Sequence, residues 1–181
     1  MSAEYHFVTI WKVRGTAHEV AEVLGDPLGL VRWWPSVYLG VKELEPGDPK
    51  TGVGRVVELY TKGWLPYTLR WSFKVTESRG DEGFTLVADG DFVGTGVWTL
   101  EQQGDIVSVK YDWRIRADKP LLRYGTFAFR PIFGANHRWA MARGQESLRL
   151  ELERRHAKTE AECRAVPAPP PPTFTRRPKP G

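Results

Sequence analysis

Apolar and polar residues alternate along much of the chain before residue 118. In residues 68–78, Leu69, Trp71 and Phe73 occupy every second position, which is typical of a strand with one buried and one exposed face. Residues 106–117 show the same alternation. Weaker versions occur at residues 5–13, 37–45, 53–61, 84–88 and 93–102. The pattern therefore predicts seven strands.

Two short helices are predicted between the first and second strands. Thr16 is suited to cap a helix that contains Val20, Val23 and Leu24, because its hydroxyl can accept a hydrogen bond from a free backbone N–H. A second short helix is predicted at residues 27–34.

A long helix is predicted at the end of the patterned region. It begins at Pro131, since proline suits a first helical turn, and runs to about His156. Its apolar face recurs at helical spacing and consists of Phe133, His137, Met141, Gly144, Leu148 and Leu152. Such a face must pack on something apolar, and only the buried side of the sheet is large enough. The expected architecture is α+β, a curved antiparallel sheet around a C-terminal helix.

The turns at the two ends of this sheet differ in polarity. In an antiparallel meander, the turns after strands three, five and seven share one end. They bring Trp64, Tyr67, Phe92 and Phe127 to one rim, whereas the turns at the other end are polar. Exposed loops are usually polar, so the apolar rim indicates a closing lid or the entrance of an apolar pocket.

The order of these elements, with RWWPS at residues 32–36, resembles the START-like superfamily, also called SRPBCC. The chain is most similar to its polyketide cyclase/dehydrase and lipid-transport group, over residues 4–156. The resemblance implies a helix-grip fold, in which the sheet holds the long helix and leaves a cavity for a hydrophobic or aromatic ligand. It does not select a reaction, because the superfamily includes enzymes, carriers, receptors and chaperone activators.

Aromatic and polar side chains on the predicted inner rows and at the rim are the candidates for lining that cavity, since aromatic pockets hold small aromatic ligands. The ligand-binding candidates are Tyr60, Trp64, Tyr67, Trp71, Phe92, Trp98, Tyr111, Trp113, Phe133, His137 and Met141.

Three residues are candidates for proton transfer. His137 lies on the apolar face of the long helix, and its ordinary pKa suits general acid or base chemistry. An interior histidine held by a hydrogen bond is the favoured alternative. Tyr111 could donate to a ligand carbonyl, although a ring packed in the core is the favoured alternative. Glu58 matters only if its side chain faces inward, and the sequence does not rank the two faces of its strand.

Charge and composition separate a globular domain from a tail. The chain has 181 residues, 41% hydrophobic, and a net charge of +4. Five basic and two acidic residues lie in residues 157–181, so +3 belongs to that segment and +1 to the rest. A near-neutral body does not predict nucleic-acid binding. We expect one domain at residues 1–156 and a proline-rich, basic, disordered tail at 157–181, which could bind a proline-recognising partner.

The sequence predicts no metal site and no cofactor. The histidines lie on separate elements without ligand spacing, and the single cysteine, Cys163, falls in the tail. One cysteine forms no internal disulfide, and no signal peptide or membrane span is recognisable, so we expect a cytoplasmic protein.

Three functions remain open at this point. The favoured function is binding of a small hydrophobic or aromatic molecule. The alternative is a polyketide cyclase or dehydratase that uses polar cavity residues, which leaves open whether the protein is an enzyme. A third possibility is a protein-interaction module that uses the apolar rim or the proline-rich tail.

Overall fold

One antiparallel sheet dominates the structure. The computed structural model describes residues 3–117 and 126–174. The seven strands lie in the spatial order β1-β7-β6-β5-β4-β3-β2, so β1 joins the edge of a meander formed by the other six. The strands are β1 Ala3–Arg14, β2 Tyr38–Glu45, β3 Val56–Lys62, β4 Thr68–Ser78, β5 Gly83–Gly90, β6 Phe92–Gln103 and β7 Ile106–Ala117.

The predicted seven-stranded α+β fold is confirmed. In β4, Leu69, Trp71, Phe73 and Val75 are buried and alternate with more exposed residues. Alternation succeeds as a predictor because successive side chains of a strand point to opposite faces of the sheet.

The two short helices are also where the sequence predicts them. Helix α1 spans Ala17–Leu24, and a capping box between Thr16 and Glu19 caps its N-terminus. A 3₁₀ turn at Pro27–Gly29 leads into α2, Leu30–Trp33. Both helices lie between β1 and β2, next to the inner side of the sheet.

The long helix α3 begins earlier than predicted. It spans Thr126–His156, so Pro131 lies inside it rather than in its first turn. A proline there lacks the N–H that would bond one turn back, and its ring crowds the carbonyl at that position, yet the helix continues across it. Met141, Gly144, Leu148 and Leu152 are buried, as predicted. In the described part of the chain, no helix is long and apolar enough to cross a bilayer.

A buried carboxylate fixes the C-terminal half of α3 to α2. Glu151 is 3% exposed and accepts two hydrogen bonds from Arg32, at 2.7 and 2.9 Å. Arg155 donates a longer one at 3.4 Å. This paired, bidentate geometry explains why a carboxylate is tolerated inside the fold.

The segment after His156 is more ordered than the predicted disordered tail. Helix α4 spans Glu160–Ala165 and starts with a capping box between Thr159 and Glu162. Arg154 then donates to the carbonyl of Pro167 at 2.6 Å. Thus local capping and hydrogen bonds to the domain order residues that composition alone assigned to a disordered tail. Independent folding of residues 1–156 stays a prediction.

Candidate functional site

A cavity of about 120 Å³ lies between the sheet and α3. Eight of the eleven predicted ligand-binding residues line it: Tyr67, Trp71, Phe92, Tyr111, Trp113, Phe133, His137 and Met141. Strands β4 and β7 contribute residues of their inner rows, β6 contributes its first residue, Phe92, and α3 contributes residues about one turn apart. Their contact with a ligand stays a prediction.

Aromatic rings build most of this wall. The ring centroid of Trp71 lies 5.8 Å from that of Phe92 and 5.7 Å from that of Trp113. The Trp71 indole also donates from Nε1 to Thr61 Oγ1 at 3.0 Å, so its polar atom is satisfied inside the wall. Tilted and edge-to-face rings of this kind offer both faces and edges to an aromatic guest.

His137 is a neutral side chain in this cavity. Its ring stacks on Phe7 with a centroid distance of 4.2 Å. Burial, helped by the neighbouring positive charge of Arg138, lowers the pKa of His137 to about 4. Nε2 is buried and has no hydrogen-bond partner among the residues that the structure describes. The imidazole is therefore uncharged near pH 7, which makes it a poor general acid there.

Tyr111 is held rigidly between other rings. It stacks on Trp98 at 4.0 Å and on Trp113 at 5.5 Å, and burial raises the pKa of its phenol well above the ordinary value. A Cβ atom on Gly96 would lie 2.8 Å from its hydroxyl oxygen, so the glycine makes room for this ring. Tyr111 can donate a hydrogen bond but stays protonated.

Glu58 and Tyr60 lie on the outside of the sheet. The prediction that Tyr60 lines the cavity is therefore wrong, and Glu58 does not meet the condition of facing inward. Val57 and Leu59 are 0% and 1% exposed and take the inner face of β3. Glu58 is exposed, and Tyr60 packs under the guanidinium of Arg70, whose Cζ lies 4.5 Å from the ring centroid. Burial of Val57 and Leu59 therefore determines which face of β3 points inward.

Trp64 and Trp98 are also absent from the cavity wall. Trp64 is 36% exposed, and its carbonyl accepts a hydrogen bond from the hydroxyl of Thr173 at 3.2 Å. Trp98 is buried but lies toward the other end of the sheet. Of the four residues predicted at the entrance, Tyr67 and Phe92 line the cavity, while the side chain of Phe127 lies outside the described residues.

A second cavity, of about 330 Å³, lies at the end with the polar turns. Trp98 lines it, and so do α1 and the turns after β2 and β4. Trp34, Tyr38, Trp71 and Tyr111 line both cavities and form a partition between them. Turn polarity predicted an entrance only at the apolar end. It did not predict the second cavity, because that depends on how the rings pack inside the protein.

Sequence reasoning missed several polar residues of the first cavity, among them Thr61, Lys62 and Asn136. Lys62 follows Thr61, and both are buried, so alternation breaks at the end of β3. Asn136 Oδ1 accepts a hydrogen bond from the backbone N–H of Leu65 at 3.3 Å. Tyr5 and Phe7 were also missed, although the alternation of β1 could have indicated them.

Within residues 3–117 and 126–174, no group of three or more histidine, cysteine or acidic side chains is arranged to hold a metal ion. The first cavity also has no acidic side chain in its described wall. The only formal charge of that described wall comes from Lys62. The arrangement suits an apolar molecule with one or two polar groups.

No protein-family model and no curated protein sequence matches the chain, but solved structures do. The Zhui aromatase/cyclase from Streptomyces sp. R1128 has a TM-score of 0.66 at 20% identity, covering 86% of this chain and 97% of that chain. TTHA0849 from Thermus thermophilus has a TM-score of 0.64 at 14% identity, covering 82% and 99%. The chain has a START-like, helix-grip fold.

Ms6760 from Mycobacterium smegmatis shares the START-like fold at a TM-score of 0.57 and 14% identity, covering 81% of this chain and 90% of that chain. At such identities the likeness extends to the fold alone. A START-like fold supplies the space between sheet and helix, whereas the side chains in that space determine the chemistry.

Proposed function

We propose that the protein binds a small hydrophobic or aromatic molecule in the cavity between the sheet and α3. The observation that carries this proposal is an interior space walled by Trp71, Phe92, Trp113 and Phe133 rather than filled by them. Apolar space that folding leaves unfilled loses packing contacts, and a ligand of matching shape restores them.

The polar groups favour binding over catalysis. The enzymatic alternative predicts at least two polar side chains in the cavity within reach of one ligand atom. Tyr111 and His137 both line the cavity, but Glu58 lies on the outer face. Both side chains are uncharged near pH 7, and His137 Nε2 has no hydrogen-bond partner among the described residues that would activate it.

A polyketide cyclase or dehydratase is the second candidate. The shared position of Tyr111 and His137 supports it, with Tyr111 as donor to a ligand carbonyl and His137 as a weak base. The fold likeness to an aromatase/cyclase is compatible with it but does not select it. An interaction module is less well supported, because its packed, closed core would have no such cavity.

The proposals about other binding partners and the cellular compartment rest on the sequence. We propose no nucleic-acid partner, because the body of the chain is near neutral. We propose the cytoplasm, because Cys163 is the single cysteine of the chain. A proline-recognising partner for the tail is kept as a proposal.

Mass spectrometry of small molecules extracted from the purified protein tests the binding proposal. Ala140 lines the cavity, so Ala140→Trp should block it, while Glu58→Gln alters only the outer face. We expect a stoichiometric apolar compound from wild type and Glu58→Gln, and loss of it from Ala140→Trp. Equal recovery from all three proteins would contradict the proposed site. Conversion of an added compound, lost in His137→Phe, would favour the enzyme.

A further inference from the structure

Lys62 is an unusual residue for the wall of an apolar cavity. It ends β3, is 8% exposed and lines the cavity. Burial lowers the pKa of its ammonium group. Among the residues that the structure describes, no carboxylate forms an ion pair with it. A buried cation normally has an anionic partner, because removing it from water is costly.

Neutral groups from the C-terminal segment now take that partner's place. Lys62 Nζ donates to the carbonyl of Thr173 at 2.5 Å, and the ring of Phe174 lies 5.1 Å away. The Thr173 hydroxyl contacts the carbonyls of Gly63 and Trp64, at 3.3 and 3.2 Å. These contacts place the segment beside the cavity at the end of β3.

We infer that Lys62 anchors an acidic group of the ligand, and that Thr173 and Phe174 occupy this anchor in the free protein. The inference rests on the proposed ligand-binding function and narrows its ligand to an aromatic or hydrophobic acid. The rings would hold the apolar body, while Lys62 would hold the anion.

Three physical points support an anionic ligand. An ammonium has three donors, and the structure shows one of them used by the carbonyl of Thr173. A carboxylate forms a stronger hydrogen bond with an ammonium than a carbonyl does. The lysine side chain is long and flexible, so its head group can turn from Thr173 toward the cavity without movement of β3.

The C-terminal segment is held weakly enough for a ligand to displace it from Lys62. Phe174 is 73% exposed and its φ is +57°, a backbone conformation unfavourable for a residue other than glycine. Little burial therefore holds this end of the chain. An acid that displaces the segment replaces the Lys62 hydrogen bond to the Thr173 carbonyl and also breaks the Thr173 hydroxyl contacts with Gly63 and Trp64. The segment stays attached upstream, where Arg154 binds Pro167.

Isothermal titration with 2-naphthoate and its neutral isostere 2-naphthamide tests the anchor. We expect wild type to bind the acid about tenfold more tightly than the amide, because the carboxylate accepts a charge-assisted hydrogen bond from the Lys62 ammonium. Lys62→Met should abolish that preference and leave amide binding intact. Lys74→Met, an exposed lysine on β4, makes the same charge change and should keep the preference. Melting curves confirm that each variant is folded.

The outcomes separate this inference from the proposed function. Equal affinity of wild type for acid and amide, or the same preference in Lys62→Met, would overturn the anchor while binding itself stands. Binding of neither probe to any variant would overturn the proposed function. Thr173→Val, which removes the hydroxyl contacts with Gly63 and Trp64, should tighten 2-naphthoate binding several-fold. An unchanged affinity would overturn the role of the C-terminal segment.

Discussion

The indole ring of Trp34 packs against the backbone of α3 at Gly144. A Cβ atom on Gly144 would lie 2.3 Å from Cζ2 of Trp34, well inside any permitted contact. Trp34 is 3% exposed and belongs to the partition between the two cavities. The absence of a side chain at Gly144 therefore sets how closely the long helix approaches the ring that divides the interior.

Gly144→Ala should destabilise the protein, because the added methyl group forces the indole or the helix to move. We expect a loss of about 1–3 kcal/mol in the free energy of unfolding, as for other overpacked cores. Urea denaturation measures it.

Gly134 provides a matched control in the same helix. Among the described residues, a Cβ there would meet only the flexible end of Arg138, at 3.3 Å. Gly134→Ala should therefore be neutral or stabilise by up to about 1 kcal/mol, through the higher helix propensity of alanine. Equal effects of the two substitutions would show that the contact between Trp34 and Gly144 does not control the packing.

Arg32→Met should weaken the attachment of α3 to α2. Burial raises the pKa of Glu151, but Arg32 and then Arg155 outweigh this effect and lower it below the usual value of 4.5. The carboxylate therefore stabilises the fold above that pH, and the contribution disappears as pH falls through its lowered pKa. At pH 7 we expect Arg32→Met to cost about 1–3 kcal/mol.

Measurement of the Arg32→Met effect at two pH values tests this origin. The difference from wild type should shrink well below pH 4.5, because Glu151 is then protonated in both proteins. Arg149→Met removes an exposed ion pair with Glu153 and should cost at most about 0.5 kcal/mol. A pH-independent loss in Arg32→Met would assign the effect to packing of the arginine side chain instead.

Acidification should destabilise the fold through His137. Its pKa is about 4 in the folded protein, against 6.5 when unperturbed, so the unfolded chain takes up a proton first. The contribution of His137 to the free energy of unfolding is constant above pH 6.5. Between pH 6.5 and 4 it falls by about 3 kcal/mol. His137→Phe, which keeps a ring against Phe7, should remove that part of the pH dependence.

His18 provides the control for this prediction. Its hydrogen bond with Asp81 raises its pKa, so protonation of His18 favours the folded state. His18→Gln should therefore leave the loss of stability on acidification in place. If His137→Phe and wild type lose stability in parallel between pH 6.5 and 4, His137 is not buried as the structure indicates.

Local patterns predicted the fold well, because local physics controls it. Alternation located β4 and β7 with their bounds, and the Thr16 cap located α1. The start of α3 could not be predicted in this way, since proline favours a first turn and is costly inside a helix, yet α3 continues across Pro131. The sequence does not show which of these two positions Pro131 takes.

The cavity wall was less predictable, because it depends on how elements meet. Trp71 and Trp98 occupy equivalent inner rows, yet only Trp71 reaches the first cavity, owing to the aromatic partition. Glu58 could not be ranked against Val57 until both were placed in the sheet. Lys62 gave no signal, since its burial comes from the end of β3 and from Thr173, which is more than one hundred residues away.

A crystal soaked with 6-bromo-2-naphthamide tests the central claim most directly, through the anomalous signal of bromine. We predict one strong peak among Trp71, Phe92, Trp113 and Phe133, with the indole and phenyl rings retained in their present arrangement. Bromine found only on the surface, with that interior filled by side chains, would contradict the account.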